Sequence, residues 1–135
     1  MEPIRKLEDR TVAHILARER WLMGECMAEV VALYVATREG EWHVFVPDRE
    51  QRLWRLEPCD EARAREEYGD GDCHYPVVDV GRQYHLEGKY IVEVGQRMVG
   101  SRGELRIAFA SGHLLTAHYN FDTDEASLYC SYRPP

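Results

Sequence analysis

Glu104-Leu105-Arg106-Ile107-Ala108-Phe109-Ala110 runs through Ser111-Gly112-His113 into Leu114-Leu115-Thr116-Ala117-His118-Tyr119-Asn120-Phe121. In the first run Leu105, Ile107 and Phe109 alternate with polar or small residues, the period of a strand buried on one face. The second run places Leu115, Ala117, Tyr119 and Phe121 on one side and Leu114, Thr116, His118 and Asn120 on the other. A two-residue Ser111-Gly112 turn would mix these faces by setting Phe109 against Leu114. A three-residue loop over 111–113 keeps them apart and pairs Phe109 with Leu115 and Ile107 with Ala117.

The same test extends outward. A four-residue loop over 100–103 pairs Met98 with Leu105, Gln96 with Ile107 and Val94 with Phe109. A loop over 123–126 pairs Phe121 with Leu128 and Tyr119 with Cys130. On the reverse face this register aligns Arg97, Arg106, His118 and Ser131 in one row. Val99, Glu104, Asn120 and Tyr129 form the next.

Toward the N-terminus, Val12, Ile15, Leu16, Leu22 and Met23 keep helical spacing behind Pro3, which predicts a helix over 3–22 closed by Gly24. Residues 27–37 and 42–46 read as a hairpin around Glu39-Gly40 that sets Val35 against Val44 and Tyr34 against Phe45. A short strand over 52–56 follows, and then a helix over 60–68 capped by Asp60 and stopped by Gly69. Strands resume at 77–80 and 83–94. The expected fold is α+β in a single domain over 1–135: an N-terminal helix packed on a curved, mainly antiparallel sheet of about seven to eight strands, with a second short helix near 60–68.

Composition narrows the function. The net charge of −7 disfavours non-specific nucleic-acid binding, which draws its affinity from neutralised phosphates. No run approaches the roughly twenty apolar residues of a membrane-spanning helix. Four cysteines without a CxxC spacing and a charged N-terminus predict a reduced, cytoplasmic protein. Fifteen arginines against two lysines fit a GC-rich bacterial genome.

Catalytic signatures such as GxSxG, the P-loop, GxGxxG after a strand and HExxH are absent from the chain. Six histidines raise the question of a metal, but none has the short paired spacing of a zinc site, so no metal and no cofactor are expected. Cys59 and Cys73 bracket the second helix and could form a conditional disulfide. None of the cysteines has an adjacent base that would make it a nucleophile.

Charge is distributed unevenly. Residues 57–72 hold Glu57, Asp60, Glu61, Glu66, Glu67, Asp70 and Asp72 against Arg63 and Arg65 alone, net −5 of the total −7. Such a lobe focuses a negative potential toward a basic protein surface. The leading expectation is therefore a small acidic protein-binding module, of the inhibitor or immunity type, that blocks a basic partner. An alternative is a binder of a small anionic ligand, or an enzyme acting on one, through Arg97, Arg106, His118, Asn120 and Tyr129. A third is an oligomeric structural protein that pairs through an uncovered sheet face.

Overall fold

A computed structural model describes residues 2–135. The chain folds as β1 (Val12–Leu22), β2 (Glu25–Thr37), β3 (Trp42–Asp48), β4 (Leu53–Cys59), α1 (Glu61–Arg65), β5 (Tyr68–Asp70), β6 (Cys73–Tyr75), β7 (Val77–Asp79), α2 (Val80–Gln83), β8 (Ile91–Val99), β9 (Arg102–Phe109), β10 (His113–Asn120) and β11 (Ala126–Tyr132). These eleven strands form one mixed sheet, antiparallel except where β11 meets β2.

The expected N-terminal helix does not form. Ile4–Leu7 is a single 3-10 turn, and most of the predicted helix is β1. The cause is a β-bulge: Val12 pairs with Thr37 but His14 pairs with Ala36, so Ala13 is an extra residue. The bulge turns Val12 and Ile15 toward one core, while Leu16 belongs to a second core on the opposite face. A bulged strand with both faces buried thus reproduces the 12–15–16 spacing of a helix. The expected strand over 83–94 is also corrected. Asp79 caps α2 by accepting the Arg82 N–H at 3.0 Å, and β8 begins only at Ile91. The helix expected near 60–68 is shorter, ending at Arg65.

The sheet closes on itself. From β1 the path runs β2-β11-β10-β9-β8, and the segment ahead of β8 returns to β1 through the Thr11–Tyr90 bridge and the Val12 N–H to Lys89 O bond of 2.9 Å. The β2–β11 seam has one bridge, Ala126 to Ala28, and a side chain extends it: Glu29 Oε1 accepts the Leu128 N–H at 3.0 Å. β3 and β4 branch from the other half of β2 and dock on β8 by another side-chain splice. Gln96 accepts the Trp54 N–H at 2.8 Å and donates to the Trp54 carbonyl at 3.0 Å.

The enclosed core holds Ile15, Leu33, Phe45, Trp54, Leu56, Ile91, Leu105, Ile107 and Leu115. The second, smaller core lies on the outer face of β1–β3, where α1 covers Leu16, Tyr34 and Val44 with Ala64. Gly103 is a steric requirement, because a Cβ there would stand 2.7 Å from the Phe121 ring.

The faces of β8 to β11 are as expected, but their pairings are slid by an even number of residues. Ile107 pairs with Leu115 and Val94, Leu105 with Ala117 and Gln96, and Tyr119 with Ala126. The turns explain the slide. Ala110-Ser111-Gly112 is a three-residue loop with Gly112 at φ +96 and its N–H bonded to Phe109 O, so glycine closes the loop and does not centre it. Gly100-Ser101 is a two-residue turn with positive φ at its first position, as type II′ requires. The β2–β3 loop repeats the first geometry with Gly40 at φ +90, which moves that register by one residue and pairs Tyr34 with Val44 and Val35 with His43.

Candidate functional site

The seven carboxylates of the acidic lobe lie on the end of β4, on α1 and on the β5–β6 hairpin. Four are engaged internally. Asp60 caps α1 through the Arg63 N–H at 2.8 Å, Glu61 pairs with Arg65 at 2.7 Å, Glu67 accepts the Val77 N–H at 2.8 Å, and Glu57 lies 3.5 Å from Arg55. The exposed side chains of Glu66, Asp70 and Asp72 have no partner among the described residues.

Arg18 rivets this lobe to the barrel. It is 2% exposed and forms no ion pair among the described residues. Its Nε donates to the Tyr34 hydroxyl at 3.0 Å, Nη1 to Tyr75 O at 3.0 Å and Nη2 to Arg63 O at 3.1 Å. The guanidinium also lies 5.0 Å from the Tyr68 ring centre and 5.3 Å from that of Tyr34. Carbonyl dipoles and aromatic faces thus take the place of a counter-ion.

Beside the lobe, the β1–β2 hairpin turns through Met23 at φ +50 and Gly24 at φ +84. Positive φ at both central residues is the type I′ requirement, met most easily by Asn, Asp or Gly at the first position. Here a methionine occupies it, 78% exposed, with exposed Leu22 and Met27 nearby. The Met23 N–H donates to Asp72 O at 3.2 Å, and the Trp21 ring stacks on His74 with centres 5.9 Å apart. The apolar tip and the acidic hairpin are therefore one surface. The sequence reading missed this tip because it assigned the segment to a helix end.

On the outer face of β8–β11 the expected row of like charges is rearranged by the slide in register. The observed row is Arg97, Glu104, His118 and Ser127. Glu104 Oε1 accepts from Arg97 Nε at 2.9 Å, and its Oε2 lies 2.8 Å from His118 Nε2. Arg106 stands one rung away between Thr116 and Gly95, 3.9 Å from Glu104, and Tyr129 packs edge-on against His118 at 5.8 Å. Asn120 belongs to the rung on the other side, beside Arg102. The five residues assigned to an anion do share this face, and Glu104 stands among them as the counter-charge of Arg97.

The bond from His118 holds the Glu104 carboxyl below the usual carboxylate range; burial opposes this, and Arg97 reinforces it. A carboxylate with a lowered native pKa stabilises the fold above its unfolded value, near 4.3, and loses that contribution as pH falls through the native value. Glu104→Gln is therefore expected to destabilise by about 1–2 kcal/mol at pH 7 and by progressively less as pH falls below the unfolded value. Urea midpoints measured across that range check the convergence; parallel curves would refute it.

All four cysteines are free, and burial raises the thiol pKa of Cys26, Cys59 and Cys130, which makes them weak nucleophiles. Comparisons with protein-family models, curated proteins and solved structures found no match to this chain.

Proposed function

We propose that this chain is a small protein-binding module that meets a basic partner through the acidic lobe and the adjoining hairpin tip. The observation that carries the reading is Met23. A non-glycine residue in the left-handed region costs about 1–2 kcal/mol, and this one holds a large apolar side chain in solvent. Stability alone favours Asn-Gly at this turn, whereas a flexible thioether beside free carboxylates suits a contact surface. The apolar tip supplies contact area, and Glu66, Asp70 and Asp72 supply long-range attraction to a basic rim. Occlusion of a basic cleft, as by an inhibitor or immunity-type protein, is the form of binding this surface suits.

The test begins with capture of a stoichiometric partner at low salt that is released at high salt. Reversing Glu66, Asp70 and Asp72 to lysine should then slow association by at least tenfold at low ionic strength while the far-ultraviolet spectrum stays unchanged. Met23→Asn should raise stability by about 1 kcal/mol and accelerate dissociation. An unchanged association rate for the lysine variant would make the lobe a solubility feature only.

A further inference from the structure

Two adjacent rungs on the outer face of β9, β10 and β11 enclose a cleft of about 280 Å³ lined by Arg102, His118, Asn120, Glu125, Ala126 and Ser127. One rung reads Glu104, His118, Ser127. In the other, Arg102 is the strand partner of Asn120, whose N–H is bonded to Glu125 O at 2.8 Å, so Asn120 stands between a cation and an anion. Arg102 and Glu125 are thus about two strand spacings apart, near 10 Å at the backbone. Neither forms an ion pair with the other or with any described residue.

The remaining wall groups have free valences that face no internal partner. The Asn120 Oδ1 is fully used, accepting from Ser101 Oγ and from the N–H groups of Asp122 and Thr123, which leaves its NH2 as a donor. His118 is held through Nε2 by Glu104, itself clamped by Arg97, which leaves Nδ1 without a partner among the described residues. Such an arrangement fixes the ring as a hydrogen-bonding group at a set position. The Ser127 hydroxyl is likewise unpaired among the described residues.

We infer that this cleft binds a small zwitterion, a molecule carrying both a carboxylate and an ammonium group, with the carboxylate on Arg102 and Asn120 and the ammonium on Glu125. A bare anion would be attracted by Arg102 but repelled by Glu125, and a bare cation would meet the reverse. A ligand with both charges satisfies the two walls together, and the cleft volume accommodates a molecule of the size of a free amino acid. His118 and Ser127 then lie against the rest of the ligand and set its orientation. This site lies on the C-terminal strands and does not depend on the protein-binding surface.

The test uses L-alanine as the probe, with acetate and methylammonium as single-charge controls at matched ionic strength. Alanine should raise the melting temperature saturably and shift the imidazole nitrogen signals of His118 and the side-chain amide signals of Asn120. Acetate and methylammonium should do neither at equal concentration. Arg102→Ala should abolish the response, and Glu125→Gln should change the preference from alanine to acetate. The lysine variant at Glu66, Asp70 and Asp72 should respond to alanine as the unmodified protein does, so failure here and failure of the partner reading remain separable. Equal responses to acetate and alanine, or no shift at His118 and Asn120 with any of the three, would overturn the assignment.

Discussion

Trp54→Ala lowers stability by about 3–5 kcal/mol, the range for deleting a fully buried indole, because it removes the indole bond to β9 as well as volume from the core. Trp54 is 0% exposed, its indole N–H donates to Gly103 O at 3.0 Å, and its ring stands edge-on to Tyr119 with centres 6.4 Å apart. Its backbone forms both bonds of the Gln96 splice. Trp54→Phe keeps most of the volume and leaves the Gly103 carbonyl unpaired, so a loss of about 1–3 kcal/mol is expected. Denaturant unfolding of the two variants checks the ratio, and equal losses would show that the hydrogen bond outweighs packing.

Arg18→Met is the second large effect, about 2–4 kcal/mol. Removing the guanidinium strands the Tyr34 hydroxyl and the carbonyls of Tyr75 and Arg63, each costing about 1–3 kcal/mol if left dry. The desolvation cost of the buried charge is recovered in part, which keeps the net below the sum. Loss should be local as well as global. Hydrogen exchange of amides across 61–75 is expected to accelerate more than that of β9 and β10, because Arg18 is the shared anchor of α1 and β6. A variant as stable as the parent, with unchanged exchange there, would show that packing of Ala64 and Val44 alone holds the lobe.

What was legible in the sequence follows from which signals are period-two and which are not. Leu105, Ile107, Phe109, Leu115 and Tyr119 are all buried, because alternation on a half-exposed strand reports the face directly. Pairing depends on which loop position takes positive φ, and a shift by an even number of residues preserves every face while replacing every neighbour. This is why His118 was correctly assigned to the polar face yet matched with Arg106 and not with Glu104. The same shift hid Arg102 and Glu125, which had been assigned to loops. Reading Gly100-Ser101 as a two-residue turn places Arg102 on β9, whereas the loop ahead of Glu125 has no glycine and takes its positive φ at Asp124. β1 was misread for a different reason: both of its faces are buried and a bulge interrupts it, so no alternation survives.

The seam between β2 and β11 makes closure wait for the synthesis of β11. The Leu128 N–H bonds a glutamate 99 positions earlier in the chain, so a ribosome must release residues through 132 before the ring can shut. Until then the edge of β2 around Ala28 and the half-built core stand open to other strands. Non-local pairing of this kind slows folding, and the emerging chain is most exposed to misassembly while its C-terminal strands are still being made. Glu29, a surface glutamate by its exposure, extends that seam in the closed sheet: its carboxylate gives β11 a hydrogen-bond acceptor beyond the single backbone bridge.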